Sequence, residues 1–226
     1  MERRKRYERN GISVNPAENA VLAGKRAAVI GAGGLGGHVA EMLLRVGLLR
    51  LTIIDCDSFD ETNLNRQLFS VEAGLGKLKV EEAEKRLLAV DSQAQITAFS
   101  EKLDAANATR LLAGCDIVVD ALDNIESRRI AAAACEELGI PFVHGAIGGW
   151  YAQVSVVMPG SGGLAAHYGS SQDSDVDKSL GNMPYIAALT ASIQCVETVK
   201  TLLGKKPNLQ GRTLRLDLMN YEFDIF

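Results

Sequence analysis

The residues able to do chemistry in this 226-residue chain fall into a few short stretches. The first is Gly31-Ala32-Gly33-Gly34-Leu35-Gly36, a G-x-G-x-x-G pattern that follows an apolar run and opens a helical one. Glycines there let the backbone turn tightly and approach a phosphate, and the N-terminus of the next helix offers unpaired N–H groups to an anion. Asp55 closes the following apolar run, 19 residues after Gly36, the place for a carboxylate that accepts hydrogen bonds from a ribose. These features indicate an adenine nucleotide. They do not separate a nicotinamide dinucleotide from ATP.

The other stretches do separate them. Asp57 comes two residues after Asp55, followed by Asn63-Leu64-Asn65-Arg66-Gln67, then Lys79, then Asp123-Asn124 behind a later apolar run. Taken singly, Arg66 and Lys79 could be surface charges, Asp57 a turn cap and Asp123-Asn124 a helix cap. Together they suit a polyphosphate. Each like-charge pair at ~4 Å costs about 4 kcal/mol at an effective dielectric of ~20. An attacking carboxylate adds to that repulsion, and Arg, Lys and Mg²⁺ offset it.

The elements that must position these groups alternate along the chain. Apolar runs at 26–30, 49–54, 95–99 and 116–120 read as strands, with another beginning at 141–143. Helical spacing occupies 35–44, 77–90, 105–112 and 125–138. Strands alternating with helices predict an α/β fold, a Rossmann-like doubly wound, mostly parallel sheet with helices on both faces. Residues 151–158 alternate as a half-exposed strand does, and 159–183 is rich in Gly, Ser and Asp without a period. A helix is expected over 184–203, with Ile186, Leu189, Ile193, Val196 and Leu203 on or near one face, stopped by Gly204 and Pro207. Two strands, 213–217 and 221–225, close the chain as an antiparallel extension of the sheet. The expected organisation is one domain over 1–226: an N-terminal arm and helix at 1–24, a nucleotide-binding half at 25–150, and a second half at 151–226 that carries a crossover loop at 159–183.

Composition narrows the function further. Net charge is −4 and 23% of residues are charged, which disfavours nucleic acid as the main partner. There is no run of 18 apolar residues, and the first ten residues carry Glu2 and Glu8 among five basic ones, unlike a transit or signal peptide. A cytoplasmic location is expected. Cys56, Cys115, Cys135 and Cys195 form no C-x-x-C pair, so they read as reduced cysteines, mostly buried, and no structural zinc site is expected. His38 falls in the helix of the glycine motif, His144 ends a strand and His167 lies in the loop; none reads as catalytic, and each is given a structural or incidental role.

In order and spacing, Gly31–Gly37, Asp55-Cys56-Asp57, Asn63–Gln67, Gly76-Lys77-Leu78-Lys79 and Ala121-Leu122-Asp123-Asn124 resemble the HesA/MoeB/ThiF family of ubiquitin-activating-enzyme-like adenylyltransferases, nearest its HesA-like branch. Arg6-Tyr7-Glu8-Arg9, Val143–Ala146, Gln153 and the helix with Glu197 and Lys200 also fit, so the resemblance covers nearly the whole chain. It implies ATP and Mg²⁺ as cofactors and activation of the C-terminal Gly carboxylate of a small ubiquitin-like sulfur-carrier protein with a Gly-Gly end. The product is an acyl-adenylate with pyrophosphate released, in thiamine- or molybdopterin-type biosynthesis. The residue roles it implies begin with Gly31, Gly33 and Gly34 at the phosphates and Asp55 on the ribose. Asp57 supports the ribose or metal, while Asn63, Arg66 and Gln67 hold the triphosphate with Arg66 as main charge stabiliser. Lys79 contacts the phosphates and Asp123, beside Asn124, coordinates Mg²⁺. Arg9 is expected to reach the neighbouring subunit's site in a homodimer, leaving Arg3–Arg6 as solvated tail.

The chain departs from the family pattern in lacking the two C-x-x-C pairs of many relatives and any cysteine in the crossover loop, so a separate sulfur donor is expected. Ala152 stands where relatives commonly have Gly. Competing expectations are activation of a peptide terminus or of a carboxylate on a modified tRNA base, a catalytically silent scaffold, and an NAD-dependent oxidoreductase. The last leaves Arg66, Lys79 and Asp123 without work.

Overall fold

A computed structural model describes residues 4–162, 164 and 180–226. His167 and most of the expected crossover loop lie outside these residues. In chain order the strands are β1 (Arg26–Ile30), β2 (Arg50–Ile54), β3 (Gln95–Phe99), β4 (Ile117–Asp120), β5 (Phe142–Gly148), β6 (Tyr151–Val157), β7 (Thr213–Asp217) and β8 (Glu222–Ile225). The α-helices among the described residues are α1 (Pro16–Gly24), α2 (Gly34–Val46), α3 (Lys79–Val90), α4 (Ala108–Leu112), α5 (Ile125–Leu138) and α6 (Pro184–Leu202).

One eight-stranded sheet runs in the order β3-β2-β1-β4-β5-β6-β7-β8. The first five strands in that order are parallel and β5 to β8 pair antiparallel, as expected. From β1 the chain winds outward to β2 and β3, then returns to lay β4 on the other side of β1. The crevice above the carboxyl ends of β1 and β4 is the switch point at which doubly wound sheets bind ligands.

Helices cover both faces of the parallel part, so the central strands β1, β2 and β4 are buried on both faces and mainly apolar rather than alternating, while the edge strand β3 is only half-buried. Ala27 and Val29 of β1 pack with Val39 and Leu43 of α2, Leu87 of α3 and Ala191 of α6. Ala28 and Ile30 face the other way, into a cluster with Leu111 of α4 and Ala131 and Cys135 of α5. Burying each such large apolar side chain contributes about 1.5–3 kcal/mol. Removing one, as in Leu43→Ala, costs about 2–5 kcal/mol through the cavity left behind.

Several boundaries differ from the sequence reading for local reasons. α3 starts at Lys79, not 77, because Gly76 takes φ 81° and Ser58 and Leu78 pair in an isolated bridge. α4 starts at Ala108 because the Asp104 side chain accepts from Ala106 N and Asn107 N in a turn of its own. β5 continues to Gly148, which places His144 in mid-strand.

α6 departs most. Of the five residues expected near one apolar face, Ile186 is buried but Val196 is 52% exposed. The buried face instead carries Thr190, Gln194, Glu197 and Thr198. Each finds a hydrogen-bond partner: the threonines bond back to Ile186 O and Gln194 O, and Glu197 Oε2 accepts from Leu209 N at 2.8 Å. Gln194 Nε2 donates to Asp120 O (2.8 Å) and Val143 O (3.2 Å). Buried polar groups bonded in this way are tolerated, and polar and apolar residues then share a helix face.

The N-terminal arm is docked rather than solvated. Arg4 donates to both carboxylate oxygens of Asp91 at 2.6 and 2.8 Å, and Arg6 Nη1 lies 2.9 Å from Asp91 Oδ2. Tyr7 is buried against this anchor, and Asn10 Nδ2 donates to Val46 O. No helix among the described residues is long and apolar enough to cross a membrane.

Candidate active site

A cavity of about 560 Å³ opens above the carboxyl ends of β1, β2 and β4, within the about 300–1,000 Å³ usual for small-molecule sites. Its first wall is the glycine turn. Gly31 takes φ 98°, and a Cβ on Gly31 would lie 2.6 Å from Ala121 O. A Cβ on Gly36 would lie 1.8 Å from Gly31 O, so the helix can pack on the turn only without a side chain there. Gly33 is the N-cap of α2 and supplies no side-chain cap, which leaves the first N–H groups of the helix facing the cavity.

Asp55 locks the turn to β2. Its Oδ2 accepts from Ala32 N at 2.7 Å and its Oδ1 from Asp57 N at 2.8 Å. Burial pushes the Asp55 carboxyl above the usual carboxylate range, against the opposing pull of those two N–H groups and of Lys79.

The cations come from two other elements. Lys79, the first residue of α3, is 7% exposed and its Nζ lies 2.9 Å from Asp57 Oδ2. Arg66 follows a 3-10 turn at Glu61–Asn63, in which Asp60 and Asn63 cap each other reciprocally. Its side chain crosses the glycine turn: a Cβ on Gly34 would lie 3.2 Å from Arg66 Cγ. Arg66 Nη1 donates to Thr62 O (3.1 Å) and Asn65 Oδ1 (2.8 Å). Gln67 lies beside Gly33 and is buried, with Oε1 unpartnered.

From β4 comes the segment Ala121–Asn124. Asp123 is exposed at the cavity wall and accepts from Asn124 Nδ2 at 3.1 Å, while Asn124 Oδ1 caps α5 through Ser127 N at 2.8 Å. Thus Gly31, Gly33, Gly34, Asp55, Asp57, Asn63, Arg66, Gln67, Lys79, Asp123 and Asn124, singled out in the sequence, all line this one cavity. Arg9 does not; it is exposed on the docked arm.

The chain matches the ThiF family over residues 7–226. It belongs to the ThiF family. Among curated relatives it is 31% identical to the SAMP-activating enzyme E1 of Haloferax volcanii, over 97% of this chain and 83% of that protein. It is 38% identical to the sulfur carrier protein ThiS adenylyltransferase of Bacillus subtilis, over 69% of this chain and 48% of that protein, so it spans about half of the latter's length. Among solved structures, Escherichia coli MccB with ATP superposes with a TM-score of 0.86 at 20% identity, over 98% of this chain and 71% of that one. That likeness is one of fold.

Other residues of this ThiF-family cavity went unnoticed in the sequence. Asp60, Glu101, Lys102, Leu103, Arg128 and Asn182 also line it. Asn182 is held by Asn65, whose Nδ2 donates to Asn182 O at 3.2 Å. Nothing in the local pattern marks these residues, which reach the cavity from the loop after β2 (Asp60), the β3–α4 connection, α5 and the segment before α6. Cys115, Cys135 and Cys195 are buried away from the cavity, and burial pushes the Cys195 thiol up to about 12, whereas Cys56 lines it and its Sγ donates to Asp57 Oδ1 at 3.7 Å. Cys56 is exposed between Asp55 and Asp57, and partial burial together with those two carboxylates raises its thiol as well.

Proposed function

We propose that this chain activates a carboxylate with ATP, and that the carboxylate is the C-terminal glycine of a small ubiquitin-like sulfur-carrier protein. The observation that carries the reading is the convergence of Arg66, Lys79 and Asp123 on a cavity floored by the glycine turn and the α2 N-terminus. The names of the relatives support the acceptor: one is a SAMP-activating enzyme and another acts on the sulfur carrier ThiS.

In this reading the polyphosphate lies over Gly33 and Gly34, and Asp55 accepts from the ribose with the lone pairs its two backbone bonds leave. The donor set suits a hard cation. Asp123 and Asp57 present exposed carboxylates, and among the described residues no three His, Cys, Asp or Glu side chains converge. Mg²⁺ is commonly held by one or two carboxylates plus substrate phosphates. Asp123 would hold it, supported by Asp57, and the bound ion would withdraw charge from the phosphate oxygens.

The carrier carboxylate is already ionised at neutral pH and needs no general base. It attacks the α-phosphorus in line, the α–β phosphoanhydride bond breaks, and pyrophosphate leaves with the bonding electrons as the acyl-adenylate forms. Arg66 and Lys79 stabilise charge on the leaving group, and the glycine turn positions the chain of phosphates. The half at 151–226 receives the carrier, and sulfur arrives from a separate donor. Arg9, exposed on an arm that Asp91 anchors, completes the site of a second copy in a homodimer.

ATP–pyrophosphate exchange with candidate carriers tests the proposal, each carrier supplied intact and with its Gly-Gly tail removed. Exchange that depends on the tail is expected. Exchange indifferent to the tail would point to another carboxylate.

A further inference from the structure

Four side chains from four elements form a polar chain that starts at Arg128 on the cavity wall and runs back through buried Asp120 and His144 to half-buried Gln153. Asp120, the last residue of β4, has no solvent exposure; His144 on β5 is 1% exposed and Arg128 on α5 is 5% exposed. His144 Nδ1 lies 2.6 Å from Asp120 Oδ2, and Gln153 Nε2 on β6 lies 3.3 Å from His144 Nε2. Arg128 Nε lies 3.4 Å from the same Asp120 oxygen. The imidazole is set back from the cavity, whose wall includes its neighbours Gly145 and Ala146.

The far end of this chain holds the segment that carries Asp123. Asp120 Oδ1 accepts from Leu122 N at 2.9 Å, and Arg128 Nη2 donates to Leu122 O at 2.6 Å. Both backbone polar groups of Leu122 are therefore fixed by one buried ion pair. Such a pair gives little net stability over apolar residues of the same shape, so its value here is geometric. Burial lowers the proton affinity of His144 below its usual value, opposed by Asp120. A neutral ring with the proton on Nδ1 then donates to Asp120 and accepts from Gln153, which satisfies every bond described.

We propose that His144 is a positioning residue. By donating from Nδ1 to Asp120 it orients the carboxylate that, with Arg128, fixes Leu122, and so sets the backbone from which Asp123 enters the cavity. The role of Asp123 rests on the function proposed above; the mechanical link does not. Metal ligands are characteristically oriented by such outer partners.

Two neutral variants separate the imidazole's two nitrogens. In His144→Asn the amide nitrogen replaces Nδ1–H and can still donate to Asp120; in His144→Gln the amide reaches toward the Nε2 position and leaves Asp120 without its donor. Hydrogen exchange is read at the Leu122 amide, with Val118 and Val119 of β4 as internal controls. His144→Gln is expected to lower Leu122 protection roughly tenfold, the worth of one hydrogen bond, with the β4 amides unchanged and His144→Asn close to the parent. In pyrophosphate exchange His144→Gln should lower kcat while leaving KM for ATP near the parent value, and His144→Asn should restore kcat.

Equal Leu122 protection in the two variants overturns the proposal, and so does failure of both to fold, which would assign the relay to core stability alone. If the parent enzyme itself shows no exchange with any carrier, the functional reading falls, while the hydrogen-exchange result still decides the role of His144.

Discussion

Lys79 Nζ lies 2.9 Å from Asp57 Oδ2, pairing an almost buried ammonium with an exposed carboxylate at the cavity mouth. The desolvation of the lysine is thus met by folding, and a phosphate oxygen has only to replace or join a carboxylate oxygen. Lys79→Met tests this. The variant is expected to fold normally, since Asp57 stays hydrated, and to lose about 100-fold in pyrophosphate exchange, as for loss of one preorganised charge stabiliser. Parent-like turnover would remove Lys79 from the chemistry.

Arg66 and Asp123 approach the cavity from opposite walls, one behind the 3-10 turn after β2 and the other after β4. Arg66→Ala and Asp123→Ala are each expected to lose about 100-fold or more in adenylation. Near-normal turnover in both would mean that the site is misassigned. The Arg66 guanidinium rests on Thr62 O and Asn65 Oδ1, so its removal leaves only acceptors that water can reach and stability should hardly change.

Two glycines of one motif should fail differently. In Gly36→Ala the new methyl group meets backbone, at 1.8 Å from Gly31 O, and the turn itself must open. A loss of about 3 kcal/mol or more is expected, at the upper end of overpacking costs, read as a lower urea midpoint at unchanged m-value. In Gly34→Ala the nearest atom is Arg66 Cγ at 3.2 Å, part of a flexible side chain. Stability should stay near the parent's while the rate falls, because Arg66 is displaced. Equal urea midpoints for the two variants would contradict this geometry.

The readable parts of this protein were those in which neighbouring residues act together. The glycine turn, Asp55 and Asp123-Asn124 each follow the end of an apolar run, and Asn63–Gln67 is a compact motif in the loop after β2; a doubly wound sheet brings these strand ends together. What stayed hidden depends on contacts between distant segments. Asp120, Arg128, His144 and Gln153 come from four different elements. The buried side of α6 carries Gln194 and Glu197 because backbone groups of other segments meet them, and helical periodicity does not record that. Arg3–Arg6 look like a solvated tail in the sequence because the partner of Arg4, Asp91, lies 87 residues away.

Asp91 also yields a prediction about pH. It is 2% exposed, yet it accepts from Arg4, Tyr7 and Gln93 N and lies beside Arg6. Burial pushes its carboxyl up, but the Arg4 hydrogen bonds, the Gln93 N–H and the two guanidinium charges outweigh burial and leave it below the usual carboxylate range. The folded protein therefore binds this proton less readily than the unfolded chain. The stability that follows is fully present above the unfolded value of about 3.9 and is lost as pH falls through the lower folded value. Asp91→Asn removes this dependence along with the charge. Subtracting the unfolding free energies of parent and variant should give a difference of about 1.5–3 kcal/mol at pH 7, the worth of hydrogen bonds to a charged group, shrinking steadily below pH ~3.9. A difference that stays constant down to pH 2 would show that Asp91 holds the arm by shape rather than charge.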